Sequence, residues 1–166
     1  MAKAAISTSN INSDQYLRNV LGKIQDTFCY TLLNSAGLAI GSSSKAAVLI
    51  ANTIYGSFNG AVSVKTTAEI ALAGTVTNAK FNVFVLTLKS DGTVTATMGT
   101  EGATIGAVVL PAIPTNEAVI GMVIINPTGT GNFVGGTTEL DDATVAPNAV
   151  YLDMVYPINW TLMENL

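Results

Sequence analysis

Phe81-Asn82-Val83-Phe84-Val85-Leu86-Thr87-Leu88, followed after Lys89 by Ser90-Asp91-Gly92 and then Thr93-Val94-Thr95-Ala96-Thr97, decides the fold class. In an extended chain Phe81, Val83 and Val85 point one way and Phe84, Leu86 and Leu88 the other, so both faces are apolar. A strand of that kind belongs in the middle of a sandwich or an oligomer. Asp-Gly between two such runs is a hairpin signal. The returning strand places threonines on one face and small apolar groups on the other.

Shorter runs of the same texture flank this hairpin. On the N-terminal side are Leu38-Ala39-Ile40, Ala47-Val48-Leu49-Ile50-Ala51, Ile54-Tyr55, Ala61-Val62-Ser63-Val64 and Glu69-Ile70-Ala71-Leu72. On the C-terminal side, strands are expected at 107–110, 119–125, 132–134 and 150–156. Pro111, Pro114, Pro127 and Gly pairs keep the connections short. Twenty-one threonines suit a pleated, half-buried surface. The expectation is a mainly β chain: an antiparallel β-sandwich or barrel over 35–166 with no second domain.

The N-terminal segment differs. Residues 1–13 have mostly small side chains, no Gly or Pro and only two isoleucines, and read as an extended arm. Ser13 or Asp14 can cap a helix in which Leu17, Leu21, Ile24 and Phe28 recur at four- and three-residue spacing. Residues 14–34 are thus expected to form one amphipathic helix, about five turns long if it runs to Leu33. Asn34-Ser35-Ala36-Gly37 ends it. A helix–helix seam along the apolar positions is short for a self-sufficient coiled coil.

Composition narrows the chemistry. The chain has 166 residues, no histidine and one cysteine, and from Ser90 onward no basic residue. It lacks the usual side chains for proton transfer, nucleophilic attack and metal binding near neutral pH. Cys29 has no histidine to activate it and reads as a buried structural thiol. The expectation is a protein that is not an enzyme and uses no cofactor or metal.

Hydrophobic residues make up 49% and charged residues 11%, with a mean hydropathy of +0.46. No run approaches the roughly 18 apolar residues of a spanning helix, and residues 1–12 contain no secretory apolar core. Charge depletion of this degree fits surfaces buried against other subunits. Seven bases and three acids precede Ser90, a balance of +4; eight acids follow, a balance of −8. That acidity argues against a nucleic-acid partner. The asymmetry could steer docking, while the plainer reading is a solvated acidic face.

Three constellations are candidates for chemistry. Gly129-Thr130-Gly131-Asn132 with Gly135-Gly136 lacks the following helix and the lysine of a phosphate loop, and reads as a turn. Glu139, Asp141 and Asp142 could supply part of a calcium site or a carboxylate pair, but have neither loop-motif spacing nor an evident cleft. Trp160 with Tyr151, Tyr156, Pro157 and Ile158 reads as a packing anchor or contact hot spot rather than a sugar platform.

Four segments carry a family resemblance: Ser35-Ala-Gly-Leu-Ala-Ile-Gly-Ser-Ser-Ser-Lys-Ala46, Val83-Phe-Val-Leu-Thr-Leu-Lys-Ser-Asp-Gly-Thr-Val-Thr95, Leu110-Pro-Ala-Ile-Pro-Thr-Asn-Glu-Ala-Val-Ile-Gly-Met-Val-Ile125 and Gly136-Thr-Thr-Glu-Leu-Asp142. Together they resemble tailed-bacteriophage virion proteins of the capsid exterior, variously called head decoration, cement or head-fibre proteins, over roughly residues 35–153. The resemblance implies a homo-oligomer, often a trimer, on the lattice of the major capsid protein, located on the head exterior and in the host cytoplasm during assembly. It transfers no active residues. Arm and helix are then the expected docking elements. Lys3, Ile6, Ile11, Leu17, Arg18, Leu21 and Lys23 are the candidate capsid or subunit contacts, with no nucleic acid or membrane as partner. A tail- or fibre-associated domain that binds a cell-surface glycan is the alternative.

Overall fold

The computed structural model describes residues 17–22, 28–126, 128–147 and 149–154. The chain is mainly β, with four antiparallel sheets and a helical segment before them. The strands are β1 (Thr31–Leu32), β2 (Leu38–Ile40), β3 (Ala47–Ile50), β4 (Ile54–Phe58), β5 (Ala61–Lys65), β6 (Ala68–Ala71), β7 (Thr75–Val76), β8 (Asn82–Leu88), β9 (Val94–Met98), β10 (Ala118–Ile125), β11 (Phe133–Val134) and β12 (Val150–Asp153). The largest sheet has the order β12-β10-β8-β9; the others are β1-β4-β5, β2-β3-β6 and β11-β7.

All four sheets turn side chains into one core. Phe84, Leu86 and Leu88 of β8 enter it with Ile120, Val123 and Ile125 of β10, Val48 and Ile50 of β3, Ile54 and Phe58 of β4, Val76 of β7 and Phe133 of β11. Phe84 and Phe133 meet edge to face at 6.2 Å between ring centres, an arrangement favoured by the quadrupoles of the rings. The opposite face of β8 is covered as well. Val83 and Val85 join Val119 and Met122 beneath Val108, Ile113, Ile124 and Met154. The two-faced reading of β8 therefore holds, and the β-sandwich-like class with it.

Ser90-Asp91-Gly92 makes the expected hairpin between β8 and β9. Gly92 N–H donates to Lys89 O, Lys89 N–H to Thr93 O, and Gly92 has φ +82°. Val94, Ala96 and Met98 of β9 pack on the core, while Thr95 lies on the outer face beside Thr87. In β10 a bulge between Val119 and Gly121 lets Ile120 and Gly121 face the same side. A Cβ at Gly121 would stand 2.4 Å from Leu152 O and 2.6 Å from Leu38 Cδ1, so only glycine fits there.

Three expectations need correction. The helix does not reach residue 34: residues 17–22 and 28 are helical, Cys29 and Tyr30 form a turn, and β1 follows at once. The β domain thus begins at Thr31 rather than 35. Tyr30 has φ +55°, and its hydroxyl accepts from Asn59 Nδ2 at 2.7 Å, which fixes the exit from the helix against the β4–β5 turn. Secondly, the segment expected as a strand at 107–110 is a 3-10 turn at Ile105–Ala107 followed by a single bridge, Thr100 to Val109. Finally, Cys29 lies on the turn rather than on a helix, buried, with its Sγ 3.5 Å from Asn59 Oδ1.

Sequence reasoning also overlooked Asn59-Gly60, a two-residue hairpin loop. Phe58 pairs with Ala61, and both loop residues have positive φ (+48° and +85°), as a type I′ turn requires.

Candidate functional site

The carboxylates, the obvious seats of chemistry in a chain without histidine, are engaged in holding loops. Glu69 accepts from Ser43 N–H at 2.6 Å, Ser44 N–H at 3.0 Å and Ser42 Oγ at 3.0 Å, closing the Gly41-Ser42-Ser43-Ser44 loop. The Ser43 amide above all holds its pKa below the ordinary carboxylate value. Asp153 at the end of β12 accepts from Ser35 Oγ and Leu38 N–H, both at 3.0 Å, and pins the start of β2 to the large sheet. Asp91 takes the Thr93 amide at 2.8 Å, and that bond, more than any other contact, lowers its pKa.

Two of the three carboxylates of the acidic turn are engaged in the same way. Asp141 pairs with Lys45 at 2.8 Å, and Asp142 accepts from the Thr144 and Val145 amides. Just before them Leu140 is buried, and its N–H donates to Lys45 O. Among the described residues no group of three or more His, Cys, Asp or Glu is placed to hold a metal ion. Gly129 and Gly136 have positive φ and sit in turns, and Gly135 lies against the Leu72 backbone. Those glycines are structural.

Glu117 is a carboxylate that the sequence did not single out. Its side chain is nearly enclosed, and it accepts from Thr87 Oγ1 and, at 3.4 Å, from Thr95 Oγ1. Lys89 Nζ stands 3.8 Å from its other oxygen. The pairing of β8 with β9 and of β8 with β10 brings together Thr87 of β8, Thr95 of β9, Lys89 just after β8 and Glu117 just before β10. Only the assembled sheet shows it.

The outward side of the β1-β4-β5 sheet has a different character. Leu33 lies beside Tyr55, its N–H donating to Tyr55 O, and Tyr55 pairs with Val64, while Ser57 pairs with Val62. Their exposures are 54% for Leu33, 44% for Tyr55, 60% for Val62 and 49% for Val64. Strand β5 is inverted relative to a surface strand: its valines face out and Ser63 faces in, buried. The inward side of β5 meets the Gly92 turn, where a Cβ would come 3.1 Å from Val64 O. A small residue suits that close approach, whereas nothing inside the fold calls for valines outside. No charged side chain lies on the outward row, and Lys65 is the only charged residue of the three strands.

The expected contact residues fall into two groups. Lys3, Ile6, Ile11 and Lys23 lie outside the described residues, as do Tyr156, Pro157, Ile158 and Trp160. Leu17, Arg18 and Leu21 are on the helix at 17–22 and exposed; Leu17 and Leu21, with Val20, make an apolar stripe at three- and four-residue spacing. Phe28 is half exposed, and its carbonyl accepts from Thr31 Oγ1 at the start of β1. Among the described residues up to Lys65, the exposed large apolar groups thus lie on the helical segment and on this sheet face.

No helix of the described residues is long and apolar enough to cross a membrane. Set against protein families, curated proteins and solved structures, the chain finds no match in any of the three.

Proposed function

We propose that the protein is a non-enzymatic structural subunit that works as a homo-oligomer, in the manner of a phage head decoration or cement protein. The observation that carries this reading is the uncharged apolar outer face of the β1-β4-β5 sheet, with its inverted strand β5. Interface cores are depleted in charge and enriched in aromatic and aliphatic groups in this way. The resemblance noted over residues 35–153 gives the setting: the exterior of a phage head, with the major capsid protein lattice as partner and neither nucleic acid nor membrane involved. The basic balance ahead of Ser90 suits the N-terminal segment to an acidic lattice surface. Many copies on one particle make weak single contacts effective.

Light scattering gives the mass of the purified protein, and sedimentation with undecorated phage heads tests docking. An oligomer that co-sediments and raises the heat resistance of the heads supports the reading. An oligomer that stays in the supernatant removes the head role and favours the glycan-binding fibre alternative, which a glycan array then tests. Deleting residues 1–13 is expected to abolish co-sedimentation and leave the oligomer intact.

A further inference from the structure

We infer that the outer face of the largest sheet, at its β12 edge, is a docking surface for the chain's own residues 155–166, with the Trp160 indole over Leu152. The contact lies within one chain and is the same in a monomer and in an oligomer.

Antiparallel pairing sets Leu152 opposite Met122 and Val150 opposite Ile124, and residues directly opposite one another share a face. On that face Val83, Val85, Val119 and Met122 form the second apolar cluster, which Val108 and Ile113 from the segment ahead of β10 cover. The β12 side of the same face stays open: Val150 and Leu152 are each 45% exposed. Between and beyond them the strand turns its polar groups inward. Tyr151 packs on the main core, and Asp153 holds Ser35 and Leu38. Strand β12 thus shows aliphatic groups where a surface strand would show polar ones.

Two aliphatic side chains are far too small a patch for a second copy, since a standard interface needs about 800 Å² per partner and a free partner also loses its translational freedom. A segment already joined to the sheet avoids that cost. Residues 155–166 are joined at this place. Met154 packs on the second cluster, and its N–H donates to Ile120 O, so the chain leaves β12 beside the open patch. The reach is ample: Val150 is about 13 Å back along the strand from Met154, whereas the six residues on to Trp160 span up to about 20 Å.

The chemistry of the segment fits as well. Tyr156, Ile158, Trp160 and Leu162 stand at every second position, and Glu164 is the one charged side chain. In an extended chain such positions share a side, with the same spacing as Leu152 and Val150. Pro157 has no N–H for a sheet ladder and suits a change of direction. A reversal centred on Tyr156 sets Trp160 opposite Leu152 and Leu162 opposite Val150. An indole buries up to about 250 Å², enough to cover the patch.

Trp160 is the chain's one tryptophan, and its fluorescence is the test. The full-length wild type is expected to show the emission of an enclosed indole and weak quenching by acrylamide. Val150→Asp and Leu152→Asp each put a charge beneath the ring. Both positions are exposed on β12, so the β fold is expected to persist, which circular dichroism checks. Each variant is expected to shift the emission to the red and to raise the quenching constant several-fold. A water-exposed indole in the wild type overturns the proposal, and so does an enclosed one that neither substitution releases. The double variant L152C/W160C identifies the occupant, with the buried Cys29 as the only other thiol. Mild oxidation is expected to give a disulfide within one chain, at single-chain mass on a denaturing gel. A two-chain product assigns the segment to a second copy and overturns the proposal, as does the lack of any disulfide.

Discussion

Glu117 gives the sharpest test of whether the enclosed carboxylates are structural. It accepts from Thr87 Oγ1 and Thr95 Oγ1 and stands 3.8 Å from Lys89 Nζ. Hydrogen bonds to a charged acceptor contribute about 1.5–3 kcal/mol net. In Glu117→Ala the Thr87 hydroxyl keeps its 2.9 Å contact with Thr95, so no buried group is orphaned and the lower end of that range applies. Lys89 is substantially exposed, and its pair with Glu117 adds no more than a few tenths of a kcal/mol. The expected cost is about 2 kcal/mol, or roughly 4–8 °C in melting temperature for a chain of this size.

Urea unfolding at two protein concentrations measures that cost and separates it from any association term. Thr87→Val on its own is expected to cost about 1–2 kcal/mol by depriving the enclosed carboxylate of a donor, and the double mutant to show coupling of about 1 kcal/mol. The sign carries the argument. A carboxylate kept for catalysis is held at a cost to stability, and its removal stabilises. A Glu117→Ala chain as stable as the wild type, or more so, refutes the structural assignment.

Three further outcomes follow from the same geometry. Gly121→Ala forces a Cβ against Leu152 O and Leu38 Cδ1 and is expected to cost about 1–3 kcal/mol in the same unfolding assay. Glu69, its pKa held down chiefly by the Ser43 amide, contributes stability that is complete above its unfolded value near 4.5 and disappears as pH falls through the lower folded value. Glu69→Gln is expected to flatten that acid limb, and a side-chain carboxyl titration by NMR that places Glu69 at or above 4.5 contradicts it. Tyr151 is pushed up to about 12, by burial first and the Asp141 carboxylate second, and its hydroxyl finds no partner among the described residues. Its contribution is complete below pH 10 and lost as pH rises towards 12. Tyr151→Phe is expected to leave neutral-pH stability within about 0.5 kcal/mol or raise it, and to remove that alkaline step from the pH–stability curve.

What could be read from the sequence was whatever a short window encodes. The two faces of β8, the Asp91-Gly92 turn and the threonine face of β9 are period-2 and turn-residue signals, and each appears where expected. The helix end was misplaced because Thr31-Leu32-Leu33 continues an apolar run that a helix can use. What stops it is a distant contact, Asn59 on Tyr30, that brings two residues 29 apart to 2.7 Å. The run at 107–110 is apolar and β-branched, yet it pairs only through Val109 and leaves Val109 and Leu110 largely exposed. Glu117 was invisible for the same reason as Tyr30. Its partners lie on neighbouring strands, and no local spacing announces them. Asn59-Gly60, by contrast, was legible and was missed.

The uneven charge of the chain takes on a different meaning in the fold. Read as sequence, the acids after Ser90 suggest a solvated face. In the structure Asp91, Glu101, Asp142 and Asp153 accept backbone amides, Asp141 holds Lys45, and Glu117 sits among threonines. Loops present unpaired N–H groups, and a carboxylate is a strong acceptor for them. An acid-rich and base-poor composition is therefore what a protein of many short strands and many turns uses to fasten its connections. The outer face of the β1-β4-β5 sheet stays apolar beside these fastened loops, and the proposed subunit role rests on that face.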